Sequence, residues 1–350
     1  MKIEQLEFGH MADGREVSLW HLHAGDIEIS LTDFGASIVS IICPDATGNM
    51  ADIVLGYDTF EEYVNDSIYA GSTIGRVANR IDQGKFTIYG KVYELAKNRG
   101  DVHLHGGVKG FNKALWQAKE LELENGLCLE MSYLSLDNEE GYPGNLQAKV
   151  VFSLKNDNAL RIDYYAKTDK KTIVNLTNHS YFNLAGKGDI LDHELWLNSE
   201  YFLPMNKKFV PLGAELSVKN TPMDFNKPTK IGERINDNYQ QIKLAGGYDH
   251  NYVISGETGK FRKAAIVHEP QSDRILEVFT TQPGIQFYSG NFLDGSVTGK
   301  SGKVYQKRNG LCLETQHYPD SPNHKYFPSI ELNPGDVYRQ ATIFRFEVRS

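Results

Sequence analysis

Two residues in this chain have the type and setting for proton transfer. His179 sits in the stretch NLTNHSYFNLAG, where Asn175, Asn178, Ser180, Tyr181 and Asn183 crowd hydrogen-bonding groups around it. An imidazole, with an ordinary pKa of about 6.5, can give or take a proton near neutrality. The alternative for His179 is a buried histidine satisfied by neighbouring amides. Glu314 follows the apolar run 310–313 and precedes Thr315-Gln316-His317. A carboxyl half desolvated at a strand end rises toward the range useful for a general base. Its alternative is a strand-end acid paired with a surface cation.

Around these stand groups suited to holding a polar ligand. Arg76 and Arg80 flank Asn79 in GRVANRI, and the arginine fork suits sugar hydroxyls or a developing alkoxide. Asp249 in GGYDHNYV is an acceptor after two glycines, and Gln286 in PGIQFYSGNF offers donor and acceptor amid aromatics. His103 and His105 in DVHLHGG stand two apart, hence on one face if the segment is extended. That is a metal-ligand spacing in some β-barrels, but Lys109 stands where the carboxylate ligand of such a site is wanted. His105 is therefore expected to bind a polar ligand rather than a metal, and Gly106-Gly107 lets the backbone approach closely or turn sharply. Asn, Asp, Gln, Arg, His and aromatics together fit a neutral polyol. No Lys/Arg cluster for a sugar phosphate is evident in the sequence.

The elements that must position these groups are strands. Residues 27–31 alternate apolar and polar, and 34–42 read as a largely apolar strand. Residues 85–95 read as a hairpin joined at Gly90-Lys91, and 147–154 and 160–166 flank an Asn-Asp-Asn turn. Further strands are expected at 126–134, 260–268, 274–280, 284–289, 310–314 and 342–348. Helical signals are short: Asp58 or Thr59 capping residues 60–64, and residues 230–235. No linker, low-complexity tract or charge shift marks a boundary, so residues 1–350 are expected to form one domain. The expected class is all-β, a large antiparallel sandwich or barrel. Long helices alternating with strands, and a phosphate-binding Gly-rich loop before a helix, are missing from the pattern, which argues against a nucleotide-binding α/β fold.

Composition bounds the partners. Across 350 residues the net charge is −8, which argues against nucleic acid or an anionic membrane as partner. No apolar run is long enough to span a membrane. The amino terminus lacks the apolar core of a secretory leader. Cys43, Cys128 and Cys312 form no Cys-x-x-Cys pair, so no zinc ribbon is expected; reduced, buried thiols and a cytoplasmic location are. The excess lies in 19 Tyr, 17 Phe and 3 Trp, residues that favour strands and also line sugar clefts.

GRVANRI at 75–81, LHGG at 104–107, NHSYFNL at 178–184, YDHNYV at 248–253, QPGIQFYSGNFLDG at 282–295 and LETQHYPDSPN at 313–323 occur in order. With these motifs, from about residue 25 to the end, the chain resembles the aldose 1-epimerases, or galactose mutarotases. The resemblance implies a large antiparallel β-sandwich with an open cleft on one face. It also implies anomer interconversion of free hexoses, with Glu314 as general base and His179 as general acid. Substrate-binding roles fall on Asn79, Arg80, His105, Asp249 and Gln286, with Tyr181 and Asn183 beside His179. No metal or other cofactor is implied. Tyr181, Phe182 and Phe287 are either sugar-stacking or core aromatics. A non-catalytic sugar-binding protein and a sugar-phosphate epimerase are the competing readings, and the oligomeric state, monomer or homodimer, stays open.

Overall fold

Three antiparallel sheets carry the architecture in the computed structural model, which describes residues 1–349. The first has five strands in sequence order, Lys2–His10, Glu16–Ala24, Ile27–Thr32, Ser37–Pro44 and Met50–Asp52. The second has nine, and its middle is Leu146–Lys155, Ala159–Thr168, Tyr338–Val348, Arg274–Thr280 and Arg262–Glu269. The third has six, in the spatial order Tyr181–Phe182, Leu311–Gln316, Gly284–Tyr288, Asp249–Val253, Tyr201–Phe202 and Leu216–Ser217. Period-two alternation sends one face of each into a shared apolar cluster. Leu22 and Ile29 come from the first sheet, Val150, Ile162 and Phe344 from the second, and Ile285, Phe287 and Leu313 from the third.

The expected all-β class is the observed one, and the helices Phe60–Val64 and Gln240–Ala245 are short. Thr59 opens the first with a capping box, its backbone N–H donating to Glu62 Oε2 at 2.9 Å. The second carries no capping side chain at Tyr239, which is why the sequence did not announce it. The hairpin over residues 85–95 forms as Lys85–Ile88 against Lys91–Glu94, turning at Tyr89-Gly90 with positive φ at both. The apolar run 34–42 is not one strand continuing from residues 27–31. Gly35 and Ala36 have φ of 70° and 43°, so the chain reverses there and Ser37–Pro44 pairs back on Ile27–Thr32. The edge strand Lys2–His10 is mostly exposed and lacks the alternation that would reveal it. Among the described residues no helix is long and apolar enough to cross a membrane.

Candidate active site

The third sheet turns a polar face away from the core. Pairing sets Asn251 opposite Gln286 and Gln286 opposite Glu314, so three polar side chains stand in a row across three strands. Alternation puts Asp249, Tyr288 and Cys312 on the same face while Leu313 and Phe287 enter the core. Thr315, on the core side, hydrogen-bonds Thr342 of the nine-stranded sheet, which ties the strand bearing Glu314 to the layer behind it.

His179 arrives from the neighbouring edge. Thr177–Asn178 pairs with Thr73–Ile74, and Tyr181 pairs with Cys312, so His179 is held between two short pairings. Its N–H donates to the Ser72 carbonyl at 2.9 Å and its carbonyl accepts from Gly71 N–H at 3.0 Å. Asn178 donates to the Gly71 carbonyl at 2.7 Å and accepts from both Ser180 N–H and Oγ. Asn175 exchanges hydrogen bonds with the His317 backbone. The amides around His179 thus brace its backbone, while its ring meets the Cys312 thiol, with Sγ 3.7 Å from Nδ1.

That ring faces Glu314. His179 Nε2 lies 3.7 Å from Glu314 Oε1, and the two residues are only 4% and 2% exposed. Burial lowers the imidazole to about 4 and, reinforced by the nearby Asp249 charge, raises the carboxyl well above its ordinary value; Arg80 opposes that rise. Glu314 Oε2 has no intramolecular partner. The arrangement sets two groups able to carry a proton face to face, with one carboxyl oxygen left open for a ligand.

The opposite wall comes from two loops that touch through their backbones. Asn79 and His105 both have positive φ, 63° and 51°, and His105 N–H donates to the Asn79 carbonyl at 3.0 Å. Asn79 N–H in turn donates to His105 Nδ1 at 3.2 Å. Gly106 must be glycine here: a Cβ would lie 1.7 Å from the Gly75 carbonyl oxygen, at φ 87°. Arg80 lies 4.0 Å from Asp249 Oδ2, and Gln286 donates to Asp249 Oδ1 at 2.7 Å. Burial raises Asp249, and Arg80 with Gln286 holds the rise back. Asn79, Arg80, His105, His179, Tyr181, Asp249 and Glu314 line one cavity of about 620 Å³, while Gln286 stands behind Asp249.

With this geometry, the aldose 1-epimerase family profile matches residues 18–345. Galactose mutarotase from Bos taurus is 43% identical over 99% of both chains. The chain belongs to the aldose 1-epimerase family. Aldose 1-epimerase from Escherichia coli K12 is 35% identical over 91% of both chains. The crystal structure of galactose 1-epimerase from Lactobacillus acidophilus superimposes with a TM-score of 0.89 at 26% identity, covering 100% of this chain and 99% of that one.

In this epimerase-family chain some sequence-selected residues serve elsewhere. Asn183 is outside the cavity that holds His179. Its amide donates to the Asn309 carbonyl at 2.9 Å and the Gly188 carbonyl at 3.1 Å, and it lines a separate cavity of about 240 Å³ with Asp52 and Lys300. The short strand ends at Phe182, so the alternation that aims Tyr181 inward does not extend to Asn183. Asn183→Ala is expected to cost about 1–3 kcal/mol of stability through its orphaned partners and to leave kcat/KM within about threefold. Thermal unfolding beside an activity assay checks both. Arg76 is spent on the carbonyls of Ser135, Leu136 and Pro143. His103 bonds Tyr142 and the Ala96 carbonyl; positive φ at His105 breaks the extended path, so the two histidines diverge rather than share a face. Phe182 and Phe287 are core residues.

Other lining groups escaped the sequence reading. Tyr69, at φ 61°, sets its ring 4.7 Å from that of His105 and 5.8 Å from that of His179. Asp66 holds this loop, accepting from Tyr57 Oη and from the Ile68 and Ala70 N–H groups. Asn98, Arg99, Tyr288 and Phe292 also line the cavity, with Asn291 and Asp294 among their neighbours there. The only signal for Tyr69 was an aromatic beside Ala70-Gly71 in a segment without periodicity.

His105, His179 and Glu314 offer ligand atoms within 4.8 Å of one another, the donor set of a two-histidine, one-carboxylate metal site. The hydrogen bond from Asn79 N–H to His105 Nδ1 argues against that use. With Nδ1 as acceptor, the neutral ring carries its proton on Nε2, which is then a donor and not a metal ligand.

Proposed function

We propose that the chain interconverts the α- and β-anomers of free aldohexoses such as D-galactose and D-glucose. Glu314 takes the proton of the C1 hydroxyl while His179 gives one to the ring oxygen, and the C1–O5 bond opens to the aldehyde. Rotation about C1–C2 presents the other carbonyl face, and reclosure returns both protons with the roles exchanged. The supporting observation is the 3.7 Å approach of Nε2 and Oε1 inside a cavity large enough for a pyranose. Each group of such a pair contributes about 10²–10⁴ in rate. Hydrogen bonds from the C1 hydroxyl to the open Glu314 oxygen favour its charged form, which prepares it as the base. Asn79, Arg80, His105 and Asp249 hold the hydroxyls, Gln286 aims Asp249, and Tyr181 and Tyr69 border the ring. The core shared by three sheets supports a single domain carrying the site, and the free, buried state of the three cysteines supports a reducing compartment such as the cytoplasm.

The pH profile tests the pair. His179 binds a proton only below about 4, and Glu314 gives one up only above its raised value. The pair therefore loses its base only where His179 also takes up a proton, at about 4. In short polarimetric assays that outrun acid unfolding, kcat/KM should hold down to about pH 4 and then fall. An acid limb near 6.5, that of an ordinary imidazole, would contradict it.

A further inference from the structure

The catalytic cavity adjoins a second of about 340 Å³, and the two share Arg80, Arg99 and Phe292. Its remaining wall brings Lys207, Lys208 and Phe209 together with residues 100–102, so four cations and the single carboxylate of Asp101 converge where the chain as a whole carries −8. Two of them are partly neutralised. Lys208 lies 3.3 Å from Asp101 and 3.8 Å from Asp82, and Arg80 lies 4.0 Å from Asp249 with its guanidinium 5.0 Å from the Phe209 ring centre. Arg99 and Lys207 are exposed, and no hydrogen bond or ion pair of either side chain falls within the described contacts. Phe209 and Phe292 pack at 5.8 Å between ring centres and form an apolar floor beneath these charges. A neutral hexose in the inner cavity has no use for this outer ring of charge.

We infer that this adjoining cavity is an anion subsite, so that the enzyme also equilibrates the anomers of aldoses bearing a carboxylate or a phosphate ester remote from C1. The inference rests on the proposed epimerase activity and names an additional substrate class for the same site. Arg99 and Lys207 meet the anion through charge-assisted hydrogen bonds, Arg80 bridges the two cavities, and no chemistry beyond the ring opening is needed.

The test compares D-galacturonate and D-galactose 6-phosphate with D-galactose on the same enzyme by polarimetry, after subtracting the buffer rate. Both anionic sugars are expected to be turned over, with kcat/KM falling about tenfold between low and high salt while that for galactose stays level. Lys207→Glu, at an exposed position, should lower kcat/KM for the anionic sugars about fivefold and leave galactose within twofold. Turnover of galacturonate alone, or of the phosphate alone, identifies which anion the subsite takes. Anionic sugars left at the buffer rate while galactose is accelerated would overturn the inference alone, as would a Lys207→Glu effect equal for charged and neutral sugars. Galactose itself left at the buffer rate would overturn the epimerase reading and this inference with it.

Discussion

Glu314→Gln is expected to lower kcat/KM for galactose by about 10²–10⁴ while raising the thermal stability of the protein at neutral pH. The amide keeps the shape of the side chain, exchanges one acceptor oxygen for an N–H donor, and cannot take the C1 proton. The stability gain follows from the setting: the carboxyl is 2% exposed, has one oxygen without an intramolecular partner, and faces the Asp249 charge. Its folded-state pKa is raised above the ordinary value of 4.5. Ionisation is therefore easier in the unfolded chain, and wild-type stability is lost as pH rises from 4.5 toward that raised value. The variant, freed of this cost, should melt above wild type at pH 7, with the gap closing toward pH 4. Melting curves at both pH values, beside polarimetric rates, check the two halves together. A variant that keeps its activity removes Glu314 from the mechanism; one that loses activity and melts lower has been damaged in its fold.

His179→Gln is expected to cost a similar 10²–10⁴ in kcat/KM, and the double variant with Glu314→Gln little more than the worse single. Ring opening needs removal of one proton and delivery of another in one event. Either group alone leaves the event half catalysed, so the losses overlap rather than multiply. The backbone of His179 is anchored through Ser72 and Gly71, not through its ring, so the substitution should leave the loop in place. Michaelis constants within about threefold of wild type would show that the cavity still binds sugar. Losses that multiply in the double variant would mean that the two residues act in separate steps.

The legible part of the molecule was the part with regular spacing. Apolar and alternating runs announced six strands of the nine-stranded sheet and, in the six-stranded one, those carrying Gln286 and Glu314; the strand Asp249–Val253 and the shared face of Asp249, Gln286 and Glu314 came only with the pairing. The motif around His179 announced the residue but not the reason for its company, since Asn175 and Asn178 bond backbone rather than ligand. Sequence proximity misled at Asn183, where the strand ends one residue earlier. Two-residue spacing misled at His103 and His105, where one positive φ separates their directions. Tyr69 and Arg99 were hidden because they sit on irregular segments without periodicity, held by loop hydrogen bonds at Asp66 and between Arg99 and Val102. Lys207 and Lys208 belong to the same class, being distant in sequence from the arginines they join.

The measurement closest to the central claim is the optical rotation of freshly dissolved α-D-galactose at pH 7 with catalytic amounts of the protein. The account predicts relaxation to the equilibrium rotation at a rate proportional to protein concentration and well above that of buffer. Relaxation at the buffer rate, in a sample that binds galactose saturably, would contradict it and leave a sugar-binding protein in its place.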